Sequence, residues 1–208
     1  MGSPRGDRVI LSDVDIKTAL KEGNLIIKPP PGEEQIDSTT VDLRIGEPFY
    51  RWNPGLVNQR GVRVSVDIDT SDFHALANSY LQEIKNRSGK YVIEPEIFYL
   101  ASTYEKIGLP TRSKLAARVE GKSSLARLGL VIHMTAPTIH CGYGPGIITL
   151  EIYNYGPFSI AVTPGVSRIC QLIVECVTTE PTTERRGRKF QRQTSPKGQR
   201  HDFKSYKK

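Results

Sequence analysis

Short β-branched, apolar runs broken by proline or glycine recur along almost the whole chain, and this punctuation constrains the fold more than any other feature. Strand-like segments lie at Tyr91 to Ile93, Ile97 to Ser102, Lys114 to Glu120, Ile147 to Tyr153, Ile160 to Val162 and Gln171 to Val177. Proline has no N–H for a β-ladder and glycine reaches positive φ in turns, so such segments end where these residues stand. Many short strands between turns imply an all-β sandwich or jelly roll, with one or two short helices. The first helix is announced by Ser12 and Asp15 in a capping-box pattern, by Ile16, Ala19 and Leu20 on one face, and by Gly23 as the stop. A second helical pattern, Leu76, Ala77, Tyr80, Leu81 and Ile84, sits inside a polar excursion over residues 69–90. Val41, Leu43 and Ile45 alternate with Asp42 and Arg44, which predicts a half-buried strand, and Val62 to Ile68 alternates in the same way.

The 208 residues fit one domain over 9–180, preceded by a disordered N-terminus or vector-derived remnant (1–8) and followed by a flexible basic arm (181–208). No run of about 18 apolar residues occurs, so no membrane span is expected. The N-terminus has no apolar signal region, which favours the cytoplasm. Cys141, Cys170 and Cys176 form no C-x-x-C pair and are odd in number, so neither a disulfide framework nor a zinc ribbon is indicated. Cys170 and Cys176 read as small buried hydrophobes. The net charge of +7 is concentrated at the end: residues 184–208 hold ten Lys and Arg against two acids, a local +8 that leaves the body near −1. Such a run can be a solvated end, a nonspecific nucleic-acid contact or a cover for a polyanionic nucleotide.

Gly121-Lys122-Ser123-Ser124, with Arg127 three residues on, sits at a strand-to-turn exit. Glycine admits close backbone approach, hydroxyls and N–H groups donate to oxygens, and the cations neutralise charge, so the cluster suits a phosphate. The same residues can equally form a capped surface turn that buries Leu125, Leu128 and Leu130.

Downstream come Thr135-Ala136, the glycine-rich Gly142 to Gly146, the strand Ile147 to Asn154 carrying Glu151, and Pro164 to Ile173. With Ile93 to Thr103 and Ser38 to Gly46 upstream, these blocks resemble, in order, the dCTP deaminase branch of the trimeric dUTPase-like superfamily, over roughly Val9 to Pro196. The resemblance implies a dUTPase-like jelly roll or β-clip, a homotrimer with sites between subunits, and hydrolytic deamination of dCTP or a close analogue to dUTP and ammonia. It implies that Glu151 shuttles the proton, that Ser123 and Arg127 position water and support the base, and that the backbone carbonyl of Ala136 faces the base. Lys122 and Ser124 match phosphate and sugar contacts, and Thr149, Leu150 and Gln171 match further substrate positions. Lys189 and Gln193 match nucleotide contacts of a K-Y-x-x-Q-x-x-P arm in which Phe190 replaces tyrosine. Mg²⁺ would then arrive on the nucleotide phosphates, with no dedicated protein metal site, and neither a membrane nor a nucleic acid is the expected partner.

The residues agree with a metal-free route. Zinc deaminases carry H-x-E with P-C-x-x-C, and none of His74, His133, His140 or His201 is followed by glutamate two residues on. Glu151 interrupts an apolar run, where burial would raise its pKa toward useful values; the alternative is a salt-bridged strand-edge carboxylate. One departure matters. His140 stands where the family has an aspartate that contacts the sugar and assists phosphate cleavage in hydrolytic members, and the run to Glu151 is one residue longer. That disfavours a dUTPase or a bifunctional deaminase-diphosphatase, and leaves room for a noncatalytic nucleotide sensor or nucleic-acid-binding member. Tyr143 suggests either an unusual pyrimidine or plain packing.

Overall fold

The structure, a computed structural model, describes residues 10–59, 61–182 and 194–198. The N-terminal segment 1–8, expected to be disordered or a vector-derived remnant, and most of the basic arm, with Lys189, Phe190 and Gln193, lie outside the described residues. The described chain is mainly β, with short helices α1 Asp13–Lys21, α2 Pro54–Val57, α3 Phe73–Tyr80 and α4 Ser123–Ala126. Its strands are β1 Ile26–Lys28, β2 Val41–Arg44, β3 Phe49–Trp52, β4 Asn58–Gln59, β5 Val62–Arg63, β6 Leu81–Ile84 and β7 Tyr91–Ile93. They continue as β8 Phe98–Gly108, β9 Leu115–Gly121, β10 Leu130–Val131, β11 Thr138–Ile139, β12 Gly146–Asn154, β13 Ile160–Val162 and β14 Arg168–Cys176. One sheet runs β10-β12-β8-β3-β6, with β1 also on β8; a second runs β11-β9-β14-β2; β13-β7 and β4-β5 are two-stranded ribbons.

Helix α1 forms as the capping pattern predicts. The Ser12 hydroxyl accepts from the Asp15 amide at 3.3 Å and donates to its carboxylate at 3.1 Å, while Ile16 and Ala19 are buried and Gly23 takes φ +71° to end it. The second helical pattern is only half realised. Helix α3 stops at Tyr80, and Leu81 to Ile84 becomes β6 because β3 offers it a ladder, Trp52 against Leu81 through Phe49 against Ile84. The Asp72 carboxylate caps α3 by accepting from the Ala75 amide at 3.1 Å. Val62 to Ile68 departs from expectation: among the described residues only Val62 and Arg63 form a ladder, with Gln59 and Asn58, extended by the Val64 amide donating to the Val57 carbonyl at 2.9 Å, and Val62, Val64, Val66 and Ile68 are exposed. Alternation produces a half-buried strand only where a second layer covers its apolar side. Cys170 is buried as expected and Cys176 only partly; all three cysteines are free thiols.

A single core takes Val41, Leu43, Val119 and Leu172 from the four-stranded sheet and Phe49, Ala101, Leu150 and Ile152 from the other. A bulge and a buried ion pair tie the two sheets together. Along β12 and β8 the register advances from Ile147 against Lys106 to Thr149 against Ser102, so extra residues bulge on β8. Inside the bulge the Thr103 hydroxyl accepts from the Ile148 amide at 3.0 Å and donates to the Glu105 carbonyl at 2.7 Å. Glu105, 0% exposed, turns inward to β2. Its carboxylate accepts from the Arg44 amide at 2.9 Å, from Arg44 Nε at 2.6 Å and from Gln35 Nε2 at 3.4 Å. The Arg44 guanidinium lies 4.8 Å from the Tyr104 ring centroid and donates to the Gly165 carbonyl at 3.2 Å. A charge so enclosed is tolerable only while paired. Glu105→Ala, which strands Arg44, is expected to cost about 3–5 kcal/mol in urea unfolding; a loss below about 1 kcal/mol, the worth of an exposed pair, would show that the bridge does not hold the sheets.

Candidate active site

Strand β12 carries Glu151 at the partly open face of its sheet. Leu150, Ile152 and Asn154 point into the core, and Thr149, Glu151 and Tyr153 point the other way, as period-two geometry requires. Glu151 lies opposite Leu100 of β8, itself buried, and Thr149 opposite buried Ser102. Burial raises the Glu151 pKa above the ordinary glutamate value, against smaller opposing pulls from its own and the Met134 backbone amides and from His133. The β10–β12 ladder, Leu130 against Asn154 and Val131 against Tyr153, explains His133: carried two residues further, that register brings it abreast of Glu151. His133 Nε2 lies 3.4 Å from a Glu120 carboxylate oxygen at the end of β9, and its buried Nδ1 has no hydrogen-bond partner among the described residues. The Thr149 hydroxyl, two residues from Glu151 on the same face, is likewise buried without a partner among the described residues.

The Gly121 to Ser124 turn closes β9 and opens α4. Lys122 is the N-cap residue of α4 in extended backbone, and its carbonyl accepts from the Leu125 and Ala126 amides at 3.0 and 2.9 Å. Ser123 and Ser124 are exposed on the first turn, and Arg127 is exposed just beyond it. The turn leads through Gly129 into β10, so the anion-competent residues and the His133 to Ala136 segment flank one short strand. A Cβ on Gly129 would stand 2.3 Å from the Gly156 nitrogen, which reserves that position for glycine. Among the described residues neither Ser123 nor Arg127 hydrogen-bonds Glu151.

The largest correction falls on Asp42. The alternation places it on the polar side of β2, yet it is 8% exposed. It pairs with Lys122, accepts from Gln171 Nε2 at 3.4 Å and lies 3.8 Å from Arg168 Nη1. Gln171 also donates to the Thr40 hydroxyl at 3.2 Å. Lys122 and Gln171 are therefore brought together, by a carboxylate absent from the expected set. The spacing signal for Asp42 was present in Ser38 to Gly46, but nothing local to β2 points to a lysine eighty positions on. His133, two residues before Thr135-Ala136, was also missed as a neighbour of Glu151.

The remaining positions separate. Ala136 and His140 are exposed, Ala136 between β10 and β11 and His140 directly after β11. The Leu150 side chain is fully buried, so only its backbone can serve a ligand. Tyr143 is a packing residue: its hydroxyl donates to the Ile147 carbonyl, its ring lies against the core, and burial lifts its phenol above the ordinary tyrosine range. The glycine-rich loop is tight at Gly144, at φ +79°, where a Cβ would fall 2.0 Å from the Ile107 carbonyl oxygen. A shallow cavity beside this loop, lined in part by Ile26, Leu109, Thr111 and Tyr143, lies at the other end of β12 from Glu151. Among the described residues no three His, Cys, Asp or Glu side chains gather into a group that could hold a metal ion.

Fold and site together describe a β-sheet protein with a half-buried carboxylate of raised proton affinity on one strand and, at the exit of another, a turn carrying Lys122, Ser123 and Ser124. A family profile described as dCTP deaminase-like matches residues 10–177, and the chain belongs to that family. A relative named "dCTP deaminase, dUMP-forming" from Methanosphaera stadtmanae is 40% identical over 90% of this chain and 91% of its own length. One named "dCTP deaminase" from Rhodospirillum rubrum is 36% identical over 89% of this chain and 93% of its own. The solved structure of 2′-deoxycytidine 5′-triphosphate deaminase from Agrobacterium tumefaciens superposes with a TM-score of 0.60 at 26% identity over 81% of this chain; the chain spans 48% of that one.

The Glu151 environment has a stability consequence of definite sign. A carboxyl whose folded pKa is raised above its unfolded value weakens the fold once ionised. Glu151→Gln is expected to melt higher than the native protein at pH above the folded pKa, with the gain fading as pH falls and absent below the ordinary value of 4.5. Thermal melts across pH would instead show a Gln variant of equal or lower stability throughout if Glu151 were a paired surface carboxylate.

Proposed function

We propose that the protein catalyses hydrolytic deamination of dCTP, releasing ammonia and forming dUTP. The observation that carries this reading is Glu151, a carboxylate with no Lys or Arg ion-pair partner among the described residues, whose proton affinity burial has raised, on a strand of a dCTP deaminase-like chain. Water adds to C4 of the cytosine ring while Glu151 takes its proton. Glu151 passes that proton to N3, then takes the second proton from the new C4 hydroxyl and delivers it to the amine, so that C4=O forms as the C4–N bond breaks and ammonia leaves. A carboxyl whose pKa burial has raised binds a proton more readily than an ordinary glutamate, which suits a group that must take a proton from water before passing it on. Ser123 and Arg127 orient the water and stabilise the charge developing on it, and the Ala136 carbonyl accepts from the attacking water or the amine. Lys122, Ser124, Lys189 and Gln193 hold phosphates, with His140, Gln171, the Thr149 hydroxyl and the Leu150 backbone toward the sugar and base.

The assembly that fits this reading is a dUTPase-like jelly-roll homotrimer with sites between subunits. It would bring the Ser123 and Arg127 of one copy to the Glu151 of another, two groups that make no hydrogen bond within one chain. Mg²⁺ enters on the triphosphate, and the reaction runs in the cytoplasm, where deoxynucleoside triphosphates are used. A second reading, deamination followed by diphosphate cleavage to dUMP, draws on the "dUMP-forming" name of the Methanosphaera stadtmanae relative. His140 at the aspartate position weighs against it, because an imidazole is not a permanent anion.

Glu151→Gln is expected to lower kcat for dCTP by about 10³-fold or more, since it removes the group that moves every proton. Affinity for dCTP, measured by calorimetry, should be nearly unchanged. A variant that turns over at the native rate would remove Glu151 from the chemistry.

A further inference from the structure

We infer that Asp42 is a positioning residue for the phosphate subsite: from β2 it fixes the Lys122 ammonium at the mouth of the Gly121 to Ser124 turn before a nucleotide arrives. The inference rests on the reading of that turn as the place where phosphates bind.

The placement follows from strand order. Strand β14 lies between β9 and β2, with Cys170 paired to both Gly121 and Leu43, and Gln171 to both Glu120 and Asp42. Asp42 is thus two strands from the end of β9, and the Lys122 side chain spans β14 to reach its carboxylate. A nearly buried carboxylate needs donors, and Asp42 draws on three side chains, Lys122, Gln171 and Arg168. Arg168 is shared with Glu34, donating to its carbonyl at 2.6 Å with its carboxylate at 3.5 Å, which leaves Lys122 the closest cation on Asp42.

Lys122 itself is not sealed off: its side chain is 23% exposed beside the open hydroxyls of Ser123 and Ser124. An ammonium has three N–H donors. With one on Asp42, two remain for an anion at the turn. A free surface lysine loses rotamer freedom when it grips a phosphate; one already held by Asp42 has lost most of it on folding, so less is subtracted from binding. The Asp42 carboxylate is the more enclosed of the pair, so an anion from solvent meets the ammonium first.

The test uses the full chain and four proteins: native, Asp42→Asn, Lys122→Met and the double variant. Each is measured for kcat and KM with dCTP and for inhibition by inorganic tripolyphosphate, which reports the phosphate subsite without the base. Each single change is expected to raise KM and the tripolyphosphate inhibition constant about tenfold, with kcat nearly kept. The double variant should be no worse than Lys122→Met alone, because Asp42 acts through Lys122. If Asp42→Asn leaves both constants unchanged or lowers them while Lys122→Met raises them, or if the two effects multiply to about a hundredfold, the positioning role is overturned and the phosphate reading stands. If Lys122→Met itself changes neither constant, the phosphate reading fails and the inference with it. Should Asp42→Asn not fold, Asp42→Glu carries the same test by moving the carboxylate one methylene: KM rises in the native background and not in Lys122→Met.

Discussion

Where β12 pairs with β8, the ladder slips between Ile147 and Thr149, and the consequences reach both sheets. On β12 the slip leaves Thr149 and Glu151 in step on the open face. On β8 the slip falls beside Thr103 and Glu105, and Glu105, on the core side with Ala101 and Ile107, meets Arg44 of the second sheet. Because β2 is held there, Asp42 two residues earlier lies under the end of β9, within reach of Lys122.

Three carboxylates in these sheets show how environment divides one chemical group into different tasks. Glu105 is enclosed and doubly bonded to Arg44, a fixed anion whose work is structural. Asp42 is nearly enclosed and paired with Lys122, an anion that orders a cation. Glu151 is half-buried, and no Lys or Arg among the described residues forms an ion pair with it; its proton affinity rises because desolvation outweighs the pull of two amides and His133. The raised proton affinity of the third is what assigns it the acid-base role in the proposed deamination.

Much of this was legible in the residues. Ser12, Asp15 and Gly23 specify α1 locally, and the long strands β8, β9, β12 and β14 each overlap an expected run. Glu151 stood out because a charge inside Ile147 to Ile152 conflicts with its neighbours' hydrophobicity. What failed to show was decided by partners distant in sequence. Leu81 to Ile84 changes from helix to strand because β3 is there to pair with it, and Val62 to Ile68 stays largely unpaired and exposed for lack of a covering layer. Asp42 has the spacing of a surface residue; its burial depends on Lys122 and Gln171, brought beside it by strand order. Similarly, His133 meets Glu151 through the register of β10 on β12, which no pattern within Val131 to Ala136 reveals.

The most direct test of the account is to incubate the full-length protein with dCTP and Mg²⁺ and resolve dCTP, dUTP, dUMP and dCMP by ion-exchange chromatography, with released ammonia measured in parallel. The account predicts dUTP and ammonia in equal amounts. Accumulation of dUMP would show that phosphate cleavage proceeds with His140 in the aspartate position, and dCTP left unchanged with no ammonia would contradict the proposed deamination outright.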